Sequence, residues 1–125
     1  MSPSDPPREI LIIDDYPQLV EYLVNRLKAE GGYDSRAAST GASGLAAIRD
    51  GFQGVVLLDV RLPDIGGLDL FARIKEHNAD LPVIFITAHA SVDLAIEATR
   101  LGAFDFIQKG SDLLKRLLVS VKNAF

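Results

Sequence analysis

The chain has 125 residues, 48% of them hydrophobic and 24% charged, with a net charge of -4 and no cysteine. That length fits one domain with a real core, and an acidic balance with scattered Lys and Arg argues against a nucleic-acid footprint. There is no disulfide framework, no apolar run near about 18 residues and no charged-then-apolar start, so neither a membrane span nor a secretory signal is expected and a cytoplasmic location is.

Met1 to Pro7 carries three prolines among small polar residues and reads as a disordered tail, leaving residues 8 to 125 as a single domain. Ile10 to Asp14 is an apolar run ending on two acids, the pattern of a buried strand. Leu19, Val20, Leu23 and Leu27 then recur at helical spacing from about Gln18 to Glu30, and Gly31-Gly32 stops that helix. Asp34 to Ala38 is a weaker strand, after which Ser39 or Thr40 caps a helix carrying Leu45, Ala46 and Ile48 up to Gly51.

Gly54-Val-Val-Leu-Leu-Asp59 is the central signal, four large aliphatic residues that end on a carboxylate and a Pro63 turn. Gly66-Gly67 releases the turn into a helix with Leu68, Leu70, Phe71 and Ile74 inward and Arg73, Lys75 and Glu76 outward. Val83 to Thr87 is a fourth strand, Ser91 caps a helix from Val92 to Leu101, and Phe104 to Gln108 is a fifth strand ending at Lys109. Asp112 to Phe125 closes the domain as a helix with Leu114, Leu117, Leu118 and Val121 on its buried stripe.

Five strands alternating with five helices predict an α/β fold, a parallel sheet with right-handed crossovers and helices on both faces. One common doubly wound arrangement, the flavodoxin-like (βα)5 order 2-1-3-4-5, reverses direction between strands 1 and 3. In that order Asp14, Asp15 and Asp59 fall at the crevice, flanked by Thr87 and Lys109. Each has a plainer reading: Asp59 as a turn acid, Lys109 as a solvated lysine, Thr87 as a strand-end hydroxyl and Phe106 as a core aromatic.

Taken together, Asp14-Asp15, Asp59, Leu62-Pro63, Gly67, Thr87-Ala88, Gly102-Ala103, Phe106 and Lys109 resemble the bacterial response-regulator receiver domain over roughly residues 8 to 125. Leu57 to Pro63, Ile86 to His89 and Gly102 to Ile107 look most like receivers of the nitrogen-regulation (NtrC-like) type, which usually precede an ATPase and a DNA-binding domain. The resemblance implies a two-component system in which Asp59 accepts a phosphoryl group from a sensor histidine kinase. It implies that Asp15, Asp59 and the Arg61 carbonyl hold Mg²⁺ with support from Asp14, that Thr87 and Lys109 contact the phosphoryl oxygens, and that Phe106 is the switch aromatic. It also implies an output surface, and a homodimer interface, on the fourth helix, fifth strand and fifth helix.

Elementary electrostatics runs the same way. Two carboxylates about 4 Å apart repel by roughly 4 kcal/mol at an effective dielectric near 20, so three acids in one cleft call for a cation. Oxygen donors without Cys or a clustered His pair suit Mg²⁺ better than zinc. His89 and Arg61, each two residues past a site residue, either overhang the phosphoryl position or are solvated loop side chains.

Two features depart from the family. Lys109-Gly110 stands where most relatives have Lys-Pro with a cis bond, and Gly66 stands where they often have Asp. A non-proline cis peptide costs about 3 kcal/mol, so the Lys109-Gly110 bond is expected to be trans. Other classes fit less well. A haloacid-dehalogenase-type phosphatase needs Asp-x-Asp after the first strand, where this chain has Asp14-Asp15-Tyr16, and a flavodoxin-like phosphate loop would not begin with two acids. A stand-alone regulator acting by protein docking is the remaining alternative to a transcription regulator.

Overall fold

In the computed structural model, which describes residues 8–125, every strand leads into a helix. The order is β1 (Glu9–Ile13), α1 (Pro17–Gly31), β2 (Asp34–Ala38), α2 (Gly41–Arg49), β3 (Val55–Asp59) and α3 (Gly67–His77), then β4 (Val83–Thr87), α4 (Val92–Arg100), β5 (Asp105–Gln108) and α5 (Leu113–Ala124). The expected tail lies outside the described residues. All neighbouring strands run parallel in one sheet, ordered β2-β1-β3-β4-β5, as the flavodoxin-like reading requires.

The three inner strands are apolar because both of their faces are covered. Leu11, Ile13, Val56, Leu58, Val83 and Phe85 point to one core with residues of α2, α3 and α4, while Ile10, Ile12, Val55, Leu57, Ile84 and Ile86 point to the other with α1 and α5. Each fully buried Ile or Leu contributes about 1.5–3 kcal/mol, so the alternation fixes the register: a slip by one residue would exchange the two cores. The edge strands differ. β2 buries only Ala38 and β5 only Ile107, which explains the weak pattern of the second strand in the sequence.

Helix ends follow the side-chain chemistry. Pro17 sits in the first turn of α1, whose carboxyl end stops at Gly32 in a left-handed conformation with φ 72°. Thr40 and Ser43 form a reciprocal capping box on α2, and Ser91 Oγ accepts from Leu94 N–H to cap α4. Of the apolar residues that α2 carries, Leu45 and Ile48 are buried and Ala46 is exposed, while Gly44 faces the sheet. A Cβ at Gly44 would lie 2.5 Å from Ile13 Cδ1 and 2.9 Å from its Cγ1, so a larger residue here would require Ile13 to move. On α5 the fully buried stripe runs through Leu113, Leu117 and Val121, with Leu114 and Leu118 half-buried; Leu68 of α3 is likewise half-buried. Among the described residues no helix is long and apolar enough to cross a membrane.

Candidate functional site

Parallel register brings the carboxyl ends of the strands to one edge. Ile13 lies opposite both Ala38 and Leu58, Asp59 opposite Ile86, and Thr87 opposite Gln108, so the residues that end β1, β3, β4 and β5 share one crevice. The β1–α1 connection is short. Asp14 N–H donates to the Ala38 carbonyl at 3.0 Å and its Oδ1 accepts from Tyr16 N–H at 2.9 Å, so the acid turns inward and is buried while Asp15 remains exposed.

Asp59 is the last residue of β3 and is buried. Its Oδ1 accepts from Arg61 N–H at 3.2 Å, and its Oδ2 faces Lys109 Nζ at 3.2 Å. Lys109 is held by its own backbone, whose N–H donates to the Thr87 carbonyl at 2.8 Å, and its ammonium also lies 2.8 Å from Asp14 Oδ2. The Lys109-Gly110 bond is trans, as the missing proline leads one to expect. Thr87 is fully buried, and its Oγ1 accepts from His89 N–H at 3.1 Å, which leaves the hydroxyl proton to be donated elsewhere. The side chains of His89 and Arg61 are exposed beside the crevice. Phe106 is half-buried with its ring 6.1 Å from that of Phe85.

Three carboxylates have ligand oxygens within 4.8 Å of one another, and two of them, Asp14 and Asp59, face the Lys109 ammonium. Burial pushes the Asp59 carboxyl above the usual carboxylate range; the Lys109 charge and the Arg61 N–H oppose that, and the Asp14 charge adds to it. For Lys109, burial alone would lower the ammonium, but its contacts with Asp14 and then Asp59 outweigh burial and raise it. The Lys109–Asp14 contact is close yet off the hydrogen-bond direction, so the buried Asp14 Oδ2 has no directed donor. A buried carboxylate oxygen whose one close partner is the Lys109 ammonium, set among hard oxygen donors with negative charge in excess, fits Mg²⁺ and the waters it retains.

Asp64 is the residue that the sequence reading missed. It lies in the β3–α3 loop, and its carboxylate accepts from the first two amides of α2, Gly41 at 2.8 Å and Ala42 at 2.9 Å. Only the acid-after-proline turn was visible in the sequence; its partners lie 23 and 22 residues away, beyond any local pattern.

Comparison with known proteins agrees with this geometry. The family model for the response regulator receiver domain matches residues 10–121. The C4-dicarboxylate transport transcriptional regulatory protein DctD of Pseudomonas aeruginosa is 39% identical over 108 residues, 86% of this chain and 23% of that protein. The transcriptional regulatory protein GlrR of Escherichia coli is 38% identical over 109 residues, 87% of this chain and 24% of its own. This chain therefore spans about a quarter of the length of these relatives. Among solved structures, the beryllofluoride-activated NtrC4 receiver domain dimer superposes with a TM-score of 0.87 at 36% identity, covering 94% of this chain and 96% of that one. The receiver domain of NtrX from Brucella abortus gives 0.84 at 35%, covering 92% and 96%. Since the match runs from the first core strand into the last helix, the chain belongs to the response regulator receiver domains of two-component systems, and among them it is most like the NtrC-like type.

Proposed function

We propose that Asp59 is the phosphoacceptor, modified from the phosphohistidine of a sensor histidine kinase. The observation that carries this reading is a carboxylate buried at the end of the central strand with the Lys109 ammonium 3.2 Å away and two further acids beside it. In the transfer a carboxylate oxygen of Asp59 bonds to phosphorus as the phosphorus–nitrogen bond breaks, and the electron pair leaves with the imidazole. Arg61 N–H steadies Oδ1 of the nucleophile, Lys109 meets the negative charge of the phosphoryl oxygens, and the Thr87 hydroxyl donates to one of them.

Asp15, Asp59 and the Arg61 carbonyl would hold Mg²⁺, with Asp14 in support. When bound, the ion supplies the positive charge that keeps Asp59 ionised and offsets the charge of the phosphoryl group. The chemistry is confined to self-phosphorylation and self-dephosphorylation, so the domain is a signalling switch and not an enzyme with an external product. Cytoplasmic residence is part of the same reading.

The switch reading rests on Thr87 and Phe106. A phosphoryl group adds about two negative charges, enough to draw the Thr87 hydroxyl inward and let the half-buried Phe106 ring turn beneath it. The face that changes carries the exposed apolar residues Val92, Ile96, Leu101, Phe104 and Val119, on and between α4, β5 and α5. A homodimer through that face, with transcription regulated by a further domain, is in keeping with relatives named as transcriptional regulators and with the dimeric NtrC4 receiver.

Incubation with Mg²⁺ and acetyl phosphate followed by intact mass measurement tests the assignment. The expected result is a hydroxylamine-labile gain of one phosphoryl mass that is lost in Asp59→Asn and on chelation. Labelling of Asp59→Asn at the native rate would overturn it.

A further inference from the structure

We propose that Asp64 is a positioning residue for Asp59: its carboxylate straps the β3–α3 loop to the amino end of α2 and so fixes the Arg61 N–H that holds the Asp59 carboxylate. The inference deepens the phosphoacceptor reading and rests on it.

Three contacts place the strap. Asp64 Oδ1 accepts from Gly41 N–H at 2.8 Å and Oδ2 from Ala42 N–H at 2.9 Å, so both carboxylate oxygens are engaged by one helix end. The neighbouring Ile65 side chain lies where a Cβ of residue 41 would stand, 2.2 Å from that position, so the helix begins on a glycine that accepts the loop. The loop itself is closed at its base by an antiparallel bridge between Arg61 and Gly66 and by Gly67 N–H donating to the Val60 carbonyl at 2.7 Å. Residues 61 to 66 therefore form a short closed unit, tied outward through two carboxylates. One tie is Asp64 to α2, and the other is Arg61 N–H to Asp59 Oδ1 at 3.2 Å.

Capping alone does not account for this arrangement. Thr40 and Ser43 already form the reciprocal capping box at the same helix end, with Ser43 N–H donating to Thr40 Oγ1 at 3.1 Å. Asp64 takes the two amides that the box leaves open, from a loop 22 to 23 residues distant, and thereby couples the placement of α2 to the placement of the nucleophile. A carboxylate in this position also benefits from the positive end of the α2 dipole. Direct hydrogen-bond partners of metal ligands are worth about 10–100-fold in metal affinity, and Asp64 acts one link further out, through the loop that carries the Arg61 amide.

The test compares the native chain with Asp64→Asn and Asp64→Ala. Mg²⁺ is titrated while the backbone amides of residues 59 to 66 are followed by nuclear magnetic resonance, and initial rates of acetyl phosphate labelling are measured alongside. In Asp64→Ala the Arg61 amide resonance is expected to move, Mg²⁺ affinity to fall about tenfold and labelling to slow, with the Asn variant between. In the native chain the Gly41 and Ala42 amides are expected to exchange slowly with solvent. A purely structural cap would lower the melting temperature of Asp64→Ala and leave Mg²⁺ affinity and the Arg61 resonance at native values; that result overturns the proposal. Fast exchange of the Gly41 and Ala42 amides in the native chain overturns it without any variant. Mg²⁺ binding by a native chain that is not labelled on Asp59 would instead overturn the phosphoacceptor reading, and this inference with it.

Discussion

Lys109 reaches Asp59 across 50 positions of sequence and sets its ammonium 3.2 Å from the carboxylate, while the same nitrogen lies 2.8 Å from Asp14. One cation thus stands between two buried acids that would otherwise face each other. Lys109→Ala is expected to destabilise the domain by about 1–3 kcal/mol in a chelator, the cost of leaving a buried carboxylate without its partner, and Mg²⁺ should restore part of the loss. Urea unfolding with EDTA and with Mg²⁺ measures both. Equal stability of variant and native chain in EDTA would contradict the pairing.

Asp59→Asn should act in the opposite direction. Burial and the Asp14 charge work against an ionised Asp59, so removing the charge is expected to raise the melting temperature in EDTA by about 3–5 °C, the shift that on the order of 1 kcal/mol gives a domain of this size. Mg²⁺ should then add less stability to the variant than to the native chain, because one donor oxygen has lost its charge. Scanning calorimetry with and without Mg²⁺ reads the four values. A variant less stable than the native chain in EDTA would show that the Lys109 pairing outweighs the burial of the charge.

Gly67→Ala probes the loop that follows the nucleophile. A Cβ there would stand 2.6 Å from the Asp59 carbonyl oxygen and 2.6 Å from Val60 Cα, both backbone atoms that cannot swing aside. The expected cost is about 1–3 kcal/mol with slower Asp59 labelling, since the backbone that carries the nucleophile has to move. Gly66→Ala, whose Cβ would be 3.6 Å from the Asp69 carboxylate, should be tolerated and serves as the control.

The Asp64 strap carries a pH signature. Hydrogen bonds from Gly41 N–H, then Ala42 N–H, hold this exposed carboxyl below its ordinary value of 3.8. For an acid whose folded-state pKa is depressed, the stabilisation is fully present above the unfolded value and is lost as pH falls through the folded one. The difference in unfolding midpoint between the native chain and Asp64→Ala should therefore be constant near neutrality and shrink below about pH 3.8. A difference unchanged down to pH 2 would show that the carboxylate is not what holds the loop.

Much of this fold was legible because its strongest signals are short and local. Buried strands such as Val55–Leu58 and Ile10–Ile13 are covered on both faces, so every position must be apolar, and the acid that follows each run marks the sheet edge. Helix caps at Thr40 and Ser91 and the stop at Gly32 follow from side-chain chemistry within a few residues. The close packing of α2 on β1 leaves no mark in the sequence because it turns on a glycine, and Gly44 has no side chain to enter an apolar pattern. Asp64 escaped notice for a related reason: its partners are backbone amides brought near by the fold, and backbone amides leave no mark in a sequence.

The two edge strands have a consequence for solubility. A strand at the border of a sheet offers unpaired backbone groups to any other strand that drifts past, and flat apolar borders seed fibres. Here the β2 border carries exposed Asp34 and Arg36, engaged respectively by Lys28 at 2.8 Å and by Glu9, and the β5 border carries exposed Asp105 and Gln108. A second chain laid along either border would have to strip water from these groups. Both borders thus disfavour strand addition, the route by which a sheet becomes a template for fibres.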